Sequence, residues 1–332
     1  MMQHGGQLRE ASQKFGLPVD QWIDLSTGIN PLGYPIPPIP NEVWYRLPDD
    51  LDELNSVAQN YYQTEQLLPL AGSQAAIKTL ARLRPSCQVG IVHPCYDEHR
   101  LAWQQSGHSI HVLRHIPDVS WVFQNLDVFI LVQPNNPTGH VYEPDYLQEV
   151  FQALSRKKGW LIIDEAFIEA CPKARSTIQK NMPEGLIILR SCGKFWGLAG
   201  ARIGFLIAHS KILQQARDQL GPWCLSGPSR WLMTQALADT PWHTQTHKNL
   251  ATLSKQMDLT LKNMGFIAQG HCHLFRWLPT PMAAKIHDDL GKKGIFTRLF
   301  TDPMSLRFGL PKSKTEWDLF QKTLSQILII HD

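Results

Sequence analysis

From Leu67 to Ala208 short apolar runs alternate with stretches of helix length, and few architectures accept that pattern. The runs are Leu67–Leu70, Val89–Val92, Ile110–Leu113, Val128–Val132, Trp160–Ile163, Leu186–Leu189 and Ile203–Ala208; helical stretches fall at 73–83, 96–106 and 144–156. Apolar runs of this length read as buried strands, and buried strands separated by helices make a mostly parallel sheet covered on both faces. Ligands of such a sheet bind at the carboxyl ends of its strands. The punctuation agrees: Gly72-Ser73-Gln74 follows the first run, Pro94-Cys95-Tyr96 the second and Pro134-Asn135-Asn136-Pro137-Thr138-Gly139 the fourth, while Asp164 closes the fifth.

The flanks read differently. A short amphipathic helix at Gln7–Phe15 leads into a proline-dense run, Pro31 through Pro40, where no regular element can form. A helix follows at Leu51–Tyr62. Beyond Pro222 come long helices at 228–238 and 242–264, then Leu274–Leu278, a helix at 281–291, Ile295–Arg298, Ser305–Leu310 and a last helix to Ile329. A chain of 332 residues exceeds what one compact core holds. The expected division is an arm at 1–40, packing with the small domain and the active site, a large domain at 41–215 and a small α+β domain at 220–332.

A net charge of +3 and the lack of any long Lys/Arg run argue against a nucleic-acid partner. No stretch approaches the roughly 18–20 apolar residues of a membrane span, and Met1-Met2-Gln3-His4-Gly5-Gly6 has no apolar signal core. Six scattered cysteines without a C-x-x-C pair read as reduced thiols, Cys192 among them as a space-filler. These features point to a cytoplasmic small-molecule enzyme with no metal site.

The chemistry concentrates in Ser191-Cys192-Gly193-Lys194-Phe195-Trp196-Gly197-Leu198-Ala199-Gly200-Ala201-Arg202-Ile203-Gly204-Phe205. Most lysines are solvated surface charges. Here a hydroxyl, Ser191, precedes Lys194, a guanidinium, Arg202, follows it, and glycines let the backbone approach a ligand. An amine desolvated beside another cation attacks aldehydes, and a hydroxyl with a guanidinium holds a phosphate. Together they suit pyridoxal phosphate. Gly72-Ser73-Gln74, between a strand and a helix start, offers unpartnered amides to the same anion. Asp164 would otherwise be a helix cap or an ion pair, but a carboxylate on so apolar a strand can hold a pyridine nitrogen protonated.

The S-x-x-K-x-x-G-L-A-G-x-R-x-G-F pattern resembles the lysine segment of fold-type I pyridoxal-phosphate enzymes. Within them it is similar to the branch holding histidinol-phosphate aminotransferase and threonine-phosphate decarboxylase. The likeness runs from His4-Gly5-Gly6 to Arg307. It implies a large domain with a mostly parallel seven-stranded sheet, a homodimer, and pyridoxal 5'-phosphate held by Gly72, Ser73, Gln74, Tyr96, Asn136, Asp164, Ser191, Lys194 and Arg202. Tyr96 would stack on the ring; Asn136, in N-N-P-T-G, would bond its phenolic oxygen and adjoin the substrate. Phe167 stands where relatives carry a tyrosine donating to that oxygen. Leu47 stands where relatives have a tyrosine reaching a partner's phosphate, with Tyr45 as candidate substitute.

On the substrate side the resemblance implies His4, Gly5 and Arg298 for a phosphate, and Arg307 and Asn30 for a carboxylate. Gly28 replaces the usual asparagine and leaves backbone groups alone at that point. The segment Asp24-Leu25-Ser26-Thr27-Gly28-Ile29-Asn30-Pro31-Leu32-Gly33 is more like the decarboxylase than the aminotransferase. The implied reaction is decarboxylation of L-threonine O-3-phosphate to aminopropanol phosphate for the cobalamin side arm. Transamination of the histidinol-phosphate type is the alternative, and a non-catalytic ligand-sensing module on the same fold is a third.

Overall fold

The computed structural model describes residues 4–329. Helix α1 (Leu8–Phe15) and the two-residue strand β1 (Ile23–Asp24) come first. After the proline run, which is irregular, stand α2 (Glu42–Tyr45) and α3 (Glu53–Tyr62). The alternation follows as β2 (Leu67–Leu70), α4 (Ser73–Leu80), β3 (Gln88–Val92), α5 (Glu98–Gln105), β4 (Ser109–Leu113), α6 (Val119–Asn125), β5 (Val128–Val132) and α7 (Pro144–Ser155). It continues through β6 (Trp160–Asp164), β7 (Leu186–Ser191), β8 (Gly204–Ala208) and α8 (Ser210–Leu220). The chain ends with α9 (Gly227–Ala238), α10 (Thr240–Asn263), β9 (Arg276–Pro279), α11 (Ala283–Gly291), β10 (Ile295–Phe296), β11 (Arg298–Thr301), β12 (Met304–Phe308) and α12 (Lys314–Ile329).

Two compact units form. The larger comprises Gly33–Asn136 and His140–Thr244. Its seven strands lie in the order β2-β8-β7-β6-β5-β3-β4, parallel except for β8, which runs against both β2 and β7. The central strands are buried along their whole length, as sequences such as Val-Phe-Ile-Leu-Val in β5 require.

The smaller unit comprises the segment ending at Leu32, the turn Pro137–Gly139 and the segment from Gln245 on. Strands β11, β12 and β9 form an antiparallel sheet, and β1 pairs in parallel with β10. The N-terminal segment is stitched in by Ile23 N to Gly294 O (2.8 Å), Leu25 N to Phe296 O (2.8 Å) and Gly309 N to Leu25 O (2.7 Å). Residues 137–139 join this unit because Gly139 lies on Gly270 so closely that a Cβ on Gly139 would stand 2.7 Å from the Gly270 Cα.

Two features differ from the reading of the sequence. The units divide between Thr244 and Gln245, not at 220, so α9 lies in the larger one. The cause is an ion cluster: buried Arg230 of α9 donates to both carboxylate oxygens of Asp52 (2.7 and 2.6 Å) and to Asp50 (3.0 Å), beside α3. The expected single strand Ile295–Arg298 is broken at Thr297, whose hydroxyl lies 2.8 Å from His287 Nδ1. Strand β10 then pairs with β1, and β11 turns back against β12.

Candidate active site

Gly72 caps α4 with φ +75°, and a Cβ there would meet Arg202 Nη2 at 2.8 Å. Glycine is thus demanded by conformation and by the close approach of the arginine. Gly204, the first residue of β8, is equally constrained: its Cβ would lie 2.6 Å from Arg190 O and 2.7 Å from Ser73 N. These contacts seat the Arg202 turn over the first amides of α4. Ser73, Ser191 and Arg202 line one end of a pocket whose chemistry is that of a phosphate cup.

Across that pocket Asp164 ends β6 with 2% exposure. His99 Nε2 donates to its Oδ2 at 2.9 Å, and Ala166 N to its Oδ1 at 3.0 Å. His99 is the residue that the sequence reading passes over. It stands one helical turn after Tyr96, a spacing that places the two on one side of the chain, and that spacing was the available signal. Tyr96 OH donates to Gln74 Oε1 (3.0 Å), and Gln74 Nε2 bonds Glu98, so the Gln74 side chain orients Tyr96. Burial, with Glu98 and Asp164 nearby, pushes the Tyr96 phenol up to about 12.

Lys194 lines the same pocket. Its loop is anchored by Phe195 and Trp196, both buried, with Trp196 Nε1 donating to Ala236 O at 3.2 Å and Tyr34 N to Trp196 O at 2.8 Å. Lys194 Nζ stands 5.4 Å from the centre of the Phe167 ring. Phe167 lines the pocket, as does Asn136, and presents an apolar ring with no hydroxyl there. Cys192 is fully buried, and burial raises its thiol well above the usual range, which makes it packing and no nucleophile.

Eight of the nine cofactor residues named from the sequence therefore line one pocket, and Gly72 forms its helix cap. The donor set fits pyridoxal 5'-phosphate: amides, hydroxyls and a guanidinium for the phosphate, a buried carboxylate for a protonated ring nitrogen, a tyrosine and a phenylalanine beside the ring, and an amine for the aldehyde.

The smaller unit gathers the residues read as substrate-binding apart from Asn136, which lies in the larger one. Arg298 and Arg307 are directly opposite each other on β11 and β12. Burial and the neighbouring Arg298 push the Arg307 guanidinium down to about 10, so both stay charged at neutral pH, and an anion is the natural partner of such a pair. Arg307 Nη2 donates to Ser26 O at 2.7 Å. Ser26 Oγ in turn accepts from Gly6 N (2.7 Å) and donates to Asp24 Oδ1 (2.6 Å). A Cβ on Gly5 would stand 2.4 Å from Ser26 O, so the His4-Gly5-Gly6 start lies against the segment that holds Arg307. Gly28 is buried, and Asn30, 3% exposed, accepts from Leu32 N at 2.9 Å in a local turn.

Comparison with known proteins adds three findings. The aminotransferase class I and II model matches residues 46–311. A threonine-phosphate decarboxylase of Pseudomonas aeruginosa is 44% identical over 96% of this chain and 95% of its own, and one of Sinorhizobium sp 35% identical over 92% of each. Among solved structures, histidinol-phosphate aminotransferase of Sinorhizobium meliloti in complex with pyridoxal-5'-phosphate superposes with a TM-score of 0.84 at 18% identity, covering 98% of this chain and 95% of that one.

Proposed function

The chain belongs to the aminotransferase class I and II family, and on that footing we propose that it is a pyridoxal-phosphate-dependent decarboxylase of L-threonine O-3-phosphate, releasing carbon dioxide and 1-aminopropan-2-yl phosphate. The observation that carries this reading beyond the family is similarity to threonine-phosphate decarboxylases along nearly the whole chain, including the N-terminal segment that holds Arg307. The product belongs to cobalamin biosynthesis.

Bound in the pocket, pyridoxal phosphate supplies an aldehyde for amines and a ring that accepts an electron pair. The first amides of α4, with Ser73, Ser191 and Arg202, hold its phosphate. Asp164, steadied by His99, keeps a proton on the ring nitrogen, while Asn136 donates to the phenolic oxygen. Lys194 Nζ would hold the cofactor through its aldehyde. Once free, its amine would supply the proton that takes the place of the departed carboxylate at Cα. Arg298 with His4 and Gly5 binds the substrate phosphate, and Arg307 with Asn30 its carboxylate. Two guanidiniums on adjacent strands match a substrate with two anionic ends.

Purified protein loaded with cofactor and given threonine phosphate is expected to release one carbon dioxide per substrate consumed, with no need for 2-oxoglutarate. Turnover that depends on 2-oxoglutarate and leaves the carboxylate in place would instead establish the aminotransferase alternative, which the same pocket would serve.

The reading includes a cytoplasmic homodimer. All six cysteines remain thiols, as a reducing compartment keeps them. The stretch after the proline run exposes Trp44 (60%), Tyr45 (84%), Leu47 (66%) and Leu51 (93%), more apolar side chain than one short segment leaves in water unless it is an interface. Sedimentation should show a dimer, and Trp44→Asp with Leu47→Asp should loosen it to monomer. A fully active monomer would remove the dimer from the account.

A further inference from the structure

Outside the pocket lining, on residues adjoining it in sequence, lies a cluster to which the chemistry above assigns no task. Glu165 is fully buried next to Asp164, and Arg190 is buried next to Ser191. Arg190 Nη2 stands 3.0 Å from Glu165 Oε2, and Arg190 Nη1 2.6 Å from Glu169 Oε1. Ser176 Oγ bridges the pair, donating to Glu165 Oε2 (2.7 Å) and accepting from Arg190 Nη2 (2.8 Å). Thr177 donates to Glu165 Oε1 through both its amide (2.8 Å) and its hydroxyl (2.9 Å).

The placement is what matters. Glu165 separates Asp164 from Ala166, Glu169 comes two residues after Phe167, and Arg190 begins the run to Ser191 and Lys194. The guanidinium of one residue on the Ser191–Lys194 stretch therefore holds two acids, one on each side of Phe167, on the stretch that carries Asp164, Ala166 and Phe167. Strands β6 and β7 are already joined there by Glu165 N to Leu189 O at 2.9 Å. That backbone bond fixes spacing along the sheet but leaves the first residues beyond the strands, which carry the chemistry, to be held by something else. A buried pair of this kind is weak evidence for stability, because desolvation offsets much of the attraction. Its fork geometry, by contrast, fixes orientation.

We propose that Arg190 and Glu165 are positioning residues for the reacting centre, setting Asp164, Phe167 and Lys194 relative to one another, with Ser176 and Thr177 as the outer clasp. The inference rests on the assignment of the pocket to pyridoxal phosphate, and not on threonine phosphate as substrate.

Ser176→Ala with Thr177→Val tests it without entering the pocket. Ser176 is exposed and Thr177 half-buried, so the fold should persist, while Glu165 loses two hydroxyl partners and Arg190 one. A loosened site of this kind should lower kcat by about tenfold with KM nearly unchanged, a modest part of the roughly 10²-fold that an ångström of misplacement can cost. Without any substrate, the cofactor dissociation constant should rise by a similar factor and the visible band of the loaded protein should shift. Arg190→Lys, which keeps the charge and loses the fork, should do the same more strongly. If both variants melt at lower temperature yet keep kcat, cofactor affinity and spectrum within twofold of the parent, the cluster is structural and the proposal is wrong. If Arg190→Lys does not fold, the Ser176/Thr177 variant decides alone. Because affinity and spectrum are read without substrate, an unexpected substrate leaves this test intact.

Discussion

Lys194→Ala is expected to leave a folded protein that still takes up pyridoxal phosphate yet turns over roughly 10⁴-fold or more slowly, the scale on which removing a covalent nucleophile acts. The substitution should be tolerated by the fold because the loop is held by its neighbours. Phe195 and Trp196 are the buried anchors, and the lysine stem itself lies in the pocket. Cofactor binding should survive in part, since the α4 amides, Ser191, Arg202 and Asp164 are untouched. Borohydride treatment followed by peptide mapping makes the check specific. In the parent protein the reduced cofactor should be found on the peptide carrying Lys194, and in the variant on no peptide. A label on any other lysine of the parent would overturn the assignment of the site.

Asp164→Asn is expected to lower kcat by about 10³-fold, comparable to losing a preorganised electrostatic contact in other active sites. The side chain is 2% exposed and accepts from His99 and from Ala166 N; an amide of nearly the same shape keeps the Ala166 bond through its oxygen and can donate to His99 in its other tautomer, so melting temperature should change little. What changes is charge. An amide cannot hold a proton on a pyridine nitrogen, and the ring then accepts electrons poorly. Steady-state kinetics beside a thermal melt separate the two effects. A variant within a few-fold of parental turnover would sink the role given to this carboxylate.

How much of this could be read from the chain depended on how locally each feature is encoded. Strands such as Val128–Val132 declare themselves because continuous burial demands continuous apolarity. The Ser191–Arg202 loop, the helix cap at Gly72 and the end of β6 were legible for the same reason, each lying within a dozen residues of chain. The smaller unit was harder. Its N-terminal segment pairs with β10, and no local pattern in Ile23-Asp24 announces a partner near Ile295. The break at Thr297 follows from His287, ten residues earlier, and the placement of α9 follows from one arginine finding two aspartates near α3. His99 escaped notice because its partner Asp164 is 65 residues away, and its spacing from Tyr96 marks a shared side of the chain without naming that partner. Arg190 and Glu165 escaped for a related reason: within an apolar strand and beside a conspicuous aspartate, each looks like a neighbour of the site.

The reversed strand β8 has a consequence for how such a site can be altered. Gly204 stands in register with both Leu70 and Ser191, so β8 enters the sheet at the edge where β2 and β7 leave it. A parallel strand would have needed a crossover to get there, putting a helix between Ser191 and Arg202. Reversal lets the hydroxyl, the amine and the guanidinium ride on one short connection, closed at small entropic cost. In terms of engineering that connection is a cassette: it can be exchanged between relatives together with its two anchoring strands. Asn136 and Asp164 each sit at the end of a separate crossover unit and do not travel with it.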